Sequence, residues 1–306
     1  METRYLNLNS YFKALFGHRV HKITVDAGFT CPNRDGKISF NGCIYCNAKG
    51  AGTGAKAKGL SLTEQLTAGK KKVAKRFKAK KFLAYFQSYT NTYAPFDKLK
   101  QYYEEALSVE NIAGLCIGTR PDCINEKILS LLEQYAKNSL IWIEYGLQSA
   151  KNKTLNLINR GHNFQAFKQA VKLTKNRGIK ICAHVILGLP QETKEDMINT
   201  AKELANLEID GIKFHSLYVI KGTKLEKLYN NGAYTPLTME EYADILCDFI
   251  RLTPPQTVIQ RLTSEPHPYE LISPLWQLEK RETVNLIKEK MEALNMKQGD
   301  KYIRLL

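Results

Sequence analysis

The chain has 306 residues, 43% apolar and 25% charged, the balance of an ordinary folded protein long enough to bury a substantial core. No apolar run approaches the roughly eighteen residues of a membrane span, and Met1–Ser10 has no signal-peptide core, so a membrane or secreted protein is not expected. The formal net charge of +15 favours a polyanionic partner, most naturally nucleic acid, through counterion release and electrostatic steering.

Arg4–Phe16 carries Tyr5, Leu6, Leu8, Tyr11, Phe12, Leu15 and Phe16, an apolar-spaced lead-in expected to pack over one end of the fold. Lys22–Ala27 reads as the first strand. Cys31, Cys43 and Cys46 follow directly, with eleven residues between the first two and two between the last. A Cys-x-x-Cys pair holds two thiolates close enough to grip one metal centre. Cys31 can reach back because the loop between is rich in Gly, Asn, Asp and Pro. Three thiolates without an obvious fourth leave two readings. One is a zinc site completed by His18 or His21. The other is a four-iron cluster with one iron open to a small molecule. Seven cysteines, an odd number, suit a reducing cytoplasm better than a disulfide framework. Cys116, Cys123, Cys182 and Cys247 lie scattered in apolar segments without ligand spacing and read as small buried residues, so no second cluster is expected.

Lys49–Gly59 is a glycine-rich basic loop that lacks the Gly-Lys-Ser/Thr ending of a phosphate loop. Ser61-Leu-Thr-Glu64 is a capping box, and the helix it opens has an apolar stripe of Leu62, Leu66, Val73 and Phe77. Its other faces carry Lys70, Lys71, Lys72, Lys75, Arg76, Lys78, Lys80 and Lys81. No acid occurs between Glu64 and Asp97, which makes this the best candidate for contact with a phosphate backbone.

Strands then alternate with helices: Phe82–Gln87, a helix at Pro95–Leu107, Gly114–Gly118, a helix through Ile128–Tyr135, Leu140–Leu147, and helical stretches to Arg177 interrupted by Asn159-Arg-Gly-His162. Lys180–Leu187, a helix from Thr193 to Leu207 and a sixth strand at Ile212–Ile220 follow. A capping box at Thr238-Met-Glu-Glu241, a short strand at Val258–Leu262 and a closing helix at Glu279–Leu294 end the chain. Apolar strands separated by helices imply an α/β fold with a parallel sheet and outer helices. The expectation is a six-stranded partial (β/α) barrel, open on one side. It forms one domain over residues 1–306, with a core at about 18–255 and a C-terminal extension at about 256–306. The cysteines then sit at the C-terminal end of the first strand, where barrels place their active sites.

The three-cysteine loop, with Tyr45 before its last cysteine and a strand leading into it, resembles the radical S-adenosylmethionine (SAM) superfamily. The wide first gap is similar to the branch that includes the Elongator catalytic subunit. The resemblance implies that Cys31, Cys43 and Cys46 hold a [4Fe–4S] cluster whose open iron chelates SAM. One electron from an external low-potential donor such as flavodoxin or ferredoxin would then generate a 5′-deoxyadenosyl radical. It also implies a functional group at each strand end. Where many relatives carry Gly-Gly-Glu to bind the SAM amine, this chain has Gln87-Ser88-Tyr89-Thr90-Asn91-Thr92-Tyr93, so Gln87 and Ser88 become the polar substitutes. Thr119-Arg120-Pro121-Asp122 looks like the motif after strand three. Glu144-Tyr-Gly-Leu-Gln148-Ser149 resembles the ribose-binding motif, and a carboxylate inside the apolar run Leu140–Glu144 is costly unless partnered. Arg160 of Arg-Gly-His162 would pair with the methionine carboxylate, and Gly188-Leu-Pro190 would approach the adenine. His184 is expected inside the barrel; Lys213, His215 and Tyr218 frame the adenine or the substrate, or simply pack.

Gln260-Arg261-Leu-Thr263-Ser-Glu265 and Ser273-Pro-Leu-Trp276 extend the likeness to a narrower bacterial family without the acetyltransferase domain of Elongator. There Arg261, Thr263 and Trp276 either cap the substrate pocket or form a packed terminal segment. The implied activity is modification of tRNA at the C5 side chain of the wobble uridine, with conversion of carboxymethylaminomethyl to aminomethyl as the concrete version. Two alternatives stay open: a radical SAM enzyme acting on a small metabolite or a protein, and a zinc-containing RNA-binding module without catalysis.

Overall fold

The computed structural model describes residues 3–47, 50 and 54–303; Lys49, Ala51, Gly52 and Thr53 of the glycine-rich loop lie outside them. Asn7 opens α1 (Leu8–Phe16) by accepting from the Ser10 N–H, and β1 (Val20–Val25) leads into the cysteine loop. The Ser61–Glu64 capping box starts α2 (Leu62–Phe77) as expected. Strand and helix then alternate through β2 (Lys81–Phe86), α3 (Phe96–Ser108), β3 (Ile112–Thr119) and α4 (Glu126–Ala136). The alternation continues with β4 (Leu140–Gln148), α5 (Asn152–Leu157), α6 (Phe164–Thr174), β5 (Lys180–Leu187), α7 (Lys194–Asn206) and β6 (Gly211–Ser216). After β7 (Val219–Ile220) come α8 (Lys224–Asn230), α9 (Met239–Leu252), β8 (Val258–Arg261), β9 (Leu271–Ser273) and α10 (Lys280–Ala293).

The main sheet runs β1-β2-β3-β4-β5-β6-β8, parallel throughout, and curls into a half-barrel with helices outside. Two strand boundaries differ from expectation. Val258–Arg261 adds a seventh strand to the β6 edge, because Val258 and Ile259 are buried there and the Val258 N–H bonds to the Asp210 carbonyl. The expected sixth strand, Ile212–Ile220, divides after Ser216. The Leu217 N–H turns back to the Leu187 carbonyl, and Val219–Ile220 pairs antiparallel with β9 instead.

Alternation along the strands separates two apolar layers. On β4, Ile141, Ile143 and Tyr145 pack outward against the helices, while Trp142 points inward with Leu83, Tyr85, Cys116, Cys182 and Val258. Helix α1 plugs the N-terminal end of this interior: Phe12 is buried, and Tyr11 meets Trp142 edge-on at 5.8 Å. Cys116 and Cys182 are therefore core residues as expected; burial pushes the Cys116 thiol up to about 12.

Candidate active site

The cysteine loop leaves the C-terminal end of β1 and folds on itself, the Arg34 and Asp35 N–H groups donating to the Cys31 carbonyl and the Cys46 N–H to the Cys43 carbonyl. A distant segment holds it. The Ile44 N–H donates to the Ile158 carbonyl at 3.1 Å. Asn33 Nδ2 donates to the Asn159 carbonyl at 2.6 Å, and Asn159 Nδ2 donates to that of Gly42 at 2.7 Å. Arg34 Nη2 straps the end of the loop through the Cys46 carbonyl at 2.8 Å. Cys31, Cys43 and Cys46 line one cavity of 150 Å³ together with Gln87, Arg120, Glu144, Gln148 and Arg160. His18 and His21, the imidazoles considered for a fourth zinc ligand, lie at the opposite end of β1, where His21 stacks on Phe77 at 4.3 Å. The donor set at the cysteines is thus three thiols without either imidazole.

Positive charge is concentrated beside these thiols. Arg160 directs Nη1 to Cys43 Sγ at 3.6 Å while Nε and Nη2 donate to the Gly146 carbonyl at 3.3 and 2.8 Å. Arg120, 1% exposed, is locked by two bonds to the Asp122 carboxylate at 2.9 and 2.8 Å and by Nη1 to the Arg160 carbonyl at 2.7 Å. Burial, then Arg160 and Arg120, drive the His162 imidazole down to about 3, so it stays neutral. Burial raises the Cys46 thiol, against the pull of Arg34. Guanidinium groups facing thiols favour the thiolate form that binds metal. The three-thiol set, its paired cations and the adjoining cavity fit an iron–sulfur cluster.

The end of β2 fits a polar ligand beside it. Thr90 lines the cavity, and its hydroxyl and that of Ser88 are buried without a hydrogen-bond partner among the described residues. Such orphaned groups are costly unless a ligand meets them, and the Thr90 hydroxyl, which faces the cavity, can accept from an ammonium. Gln87 also lines the cavity, accepting from the Thr24 hydroxyl at 3.3 Å, whereas Ser88 is not among its lining residues.

Below the cysteines a polar layer crosses the barrel. Glu144, fully buried, takes Lys22 on Oε1 at 2.5 Å and His184 and Lys213 on Oε2 at 2.7 and 3.3 Å. Burial works against its ionisation, but Lys213 and Lys22 overcome this and hold the carboxyl well below its usual range. The cost anticipated for a carboxylate in an apolar strand is met by these partners. Burial depresses the Lys213 ammonium to about 8 and, followed by Lys213, the His184 imidazole to about 4. Lys22 and Gln260 were not foreseen as part of this layer; a lysine adjoining the apolar residues of the first strand was the available signal.

Other expected site residues lie away from the cysteine cavity. The Gly188 carbonyl accepts from the Tyr234 hydroxyl at 2.9 Å and its N–H donates to Met197 Sδ, so both backbone groups are engaged. Tyr218 is half-buried just after β6, with burial raising its phenol. Arg261 enters the barrel interior and contacts His215. Trp276 donates its indole N–H to the Leu237 carbonyl at 3.0 Å and packs on Tyr242, as a packed terminal segment would. Lys71, Lys72, Lys75, Arg76 and Lys78 are exposed, and Lys70 is half-buried with Nζ on the Glu110 carbonyl. Helix α2 runs back along β1, so its basic stretch lies toward the N-terminal end of the barrel, away from the cysteines.

A sequence model of the radical SAM superfamily, whose members bind a [4Fe–4S] cluster and SAM, matches residues 34–204, and one of the radical SAM C-terminal domain matches 209–293. The uncharacterized protein YtqA of Bacillus subtilis is 36% identical over 304 residues, 99% of this chain and 94% of that one. A Methanocaldococcus jannaschii protein named tRNA uridine(34) acetyltransferase is 31% identical over 151 residues, 47% of this chain and 27% of that one. Among solved structures, Elp3 of Methanocaldococcus infernus shares the fold with a TM-score of 0.71 at 18% identity, over 91% of this chain and 64% of that one. With a superfamily match extending over more than half its length, the chain belongs to the radical SAM superfamily.

Proposed function

We propose that the protein modifies tRNA, acting on the C5 side chain of the wobble uridine and converting its carboxymethylaminomethyl group to aminomethyl. This is a two-electron oxidation of the CH₂ for which SAM would be the oxidant consumed, with water cleaving the resulting imine so that the two carbons leave as the aldehyde acid. The observation that carries the tRNA assignment is the 31% identity over 151 residues to a protein named tRNA uridine(34) acetyltransferase. The net charge of +15 and the basic stretch Lys70–Lys81, with no acid between Glu64 and Asp97, support it.

Cys31, Cys43 and Cys46 would hold the cluster, and Gln87, Thr90 and Gln148 would contact SAM. Together these cofactors would supply a 5′-deoxyadenosyl radical able to abstract hydrogen from the CH₂ of that side chain. The chain's own part is to bind, orient and exclude water. Arg160 offsets thiolate charge, with Arg120 fixing its backbone. The α1 plug closes the barrel from below, and anticodon loops offer an unstacked base to the mouth above. Residues 1–306 act as one unit, as the apolar cluster running from Ile23 to Met291 supports. The electron comes from an external donor of the flavodoxin or ferredoxin kind, in the cytoplasm. Among the described residues no helix is long and apolar enough to cross a membrane.

The test is 5′-deoxyadenosine release by anaerobically reconstituted protein, wild type against Cys43→Ala, with and without hypomodified tRNA. Release that requires Cys43 and rises with tRNA is expected. Release indifferent to tRNA would move the substrate to a small metabolite or a protein. Absence of release with zinc bound would leave a non-catalytic RNA-binding module.

A further inference from the structure

The polar layer inside the barrel is not balanced in charge. Lys22, Lys213 and Arg261 bring three cationic side chains into it, and among the described residues Glu144 is the carboxylate that pairs with the two lysines. Arg261 has no carboxylate partner there among the described residues. Its Nη2 donates to His215 Nδ1 at 2.5 Å and its Nε to the Phe214 carbonyl at 3.3 Å. A guanidinium only donates, so Nδ1 of His215 is the acceptor and the ring proton sits on Nε2. That Nε2 is buried and has no partner among the described residues. Gln260 repeats the pattern: its Oε1 accepts from Lys22 at 2.5 Å, which leaves a buried Nε2 amide without a partner among the described residues. Two orphaned donors and an excess of buried cations, on neighbouring strands β6 and β8, are costly in the absence of an acceptor.

We propose that Lys213, His215, Gln260 and Arg261 form an anion site that binds the carboxylate of the substrate's side chain. The inference rests on the reading of the substrate as a uridine whose C5 side chain ends in an acid. Lys213 and Arg261 supply charge; His215 Nε2–H and Gln260 Nε2–H supply directed neutral donors. The site adjoins the cysteine cavity, because Glu144 and His184 belong to the same hydrogen-bonded layer and also line that cavity. Anchoring a carboxylate fixes the carbon one bond away, the CH₂ from which hydrogen would be taken. The same cations would repel a side chain ending in a free amine, so the expected product is disfavoured.

The test compares three anticodon stem-loops binding to wild-type protein carrying its cluster and saturating SAM: carboxymethylaminomethyluridine, its methyl ester, and uridine at the wobble position. The acid should bind about tenfold more tightly than the ester, and the ester no better than uridine. Arg261→Gln and Lys213→Met should each abolish the preference while leaving ester binding in place, with His215→Phe weakening it less. The ligand comparison needs only wild-type protein, so a variant that fails to fold does not obscure it. Equal binding of acid and ester, with tRNA still stimulating 5′-deoxyadenosine release, overturns the anion site and leaves the tRNA reading intact. If no stem-loop binds and tRNA has no effect, the tRNA reading falls; the free nucleoside acid and its ester then decide the site, and equal binding overturns it. Loss of SAM affinity in Lys213→Met with the acid preference retained assigns the cations to the cofactor. Displacement of the acid by inorganic phosphate but not by acetate assigns them to a phosphate. Either result overturns the carboxylate assignment.

Discussion

Arg160 Nη1 lies 3.6 Å from Cys43 Sγ while the same guanidinium donates twice to the Gly146 carbonyl. The strand-four backbone thereby aims a buried positive charge at one of the three cluster cysteines. Replacing Arg160 by Met removes that charge, so the cluster's midpoint potential should become more negative. The 5′-deoxyadenosine yield with a fixed weak reductant should fall by about tenfold or more, equivalent to about 1.4 kcal/mol. Redox-poised electron paramagnetic resonance measures the first and chromatography the second; an unchanged potential would remove the electrostatic role.

Gly146 is where that arrangement leaves no room. A Cβ there would lie 2.5 Å from Arg160 Nη2 and 2.8 Å from Gln148 Nε2. Gly146→Ala should displace both side chains, reducing SAM cleavage by roughly tenfold, while overpacking costs about 1–3 kcal/mol of stability. Urea unfolding alongside activity separates the two effects.

Glu144 holds the interior together. Glu144→Ala leaves Lys22 and Lys213 buried without a carboxylate and should destabilise the fold by about 3–5 kcal/mol, with Glu144→Gln costing less. Chemical denaturation at neutral pH is the measurement. A loss below about 1 kcal/mol would mean that water or a shifted proton already compensates.

Stability should fall as pH drops from about 6.5 toward about 4. Burial and then Lys213 lower His184 to about 4, below its ordinary 6.5. Between those values the unfolded chain binds the proton and the folded chain does not, so stability rises with pH. The contribution is complete above the unfolded value and lost as pH falls toward the folded one. His162, lowered to about 3, and His215, lowered well below its ordinary value, act with the same sign. Each adds a slope of about 1.4 kcal/mol per pH unit within its window. His184→Gln should flatten the dependence measured by denaturant unfolding.

Changing Lys71, Lys72, Lys75 and Arg76 together to alanine should weaken tRNA binding and reduce the slope of log affinity against log salt by roughly one for each phosphate no longer neutralised. Release of 5′-deoxyadenosine in the absence of tRNA should be unchanged. An unaltered salt slope would show that tRNA approaches the barrel mouth without touching α2.

Much of this was legible in local sequence. The Ser61 and Thr238 capping boxes, the apolar stripe of α2 and the alternation of strands and helices as far as α7 depend on residues within a few positions of one another, and they formed where expected. The cysteine spacing placed three thiols after the first strand because a loop of turn-forming residues can fold back on itself locally, as the Arg34 and Asp35 N–H bonds to the Cys31 carbonyl show. Tertiary structure decided what strand register and chain reversal control. Parallel pairing set Glu144 of β4 among Lys22 of β1, His184 of β5 and Lys213 of β6, and Asn159 and Arg160 came to clamp a loop more than a hundred residues earlier. Register also joined Val258–Arg261 to the sheet, bringing Gln260 and Arg261 into the interior. The direction of α2 carried its lysines toward the end of the barrel opposite the cysteines. Those relationships arise from packing over the whole half-barrel, and no periodicity or motif along the chain encodes them.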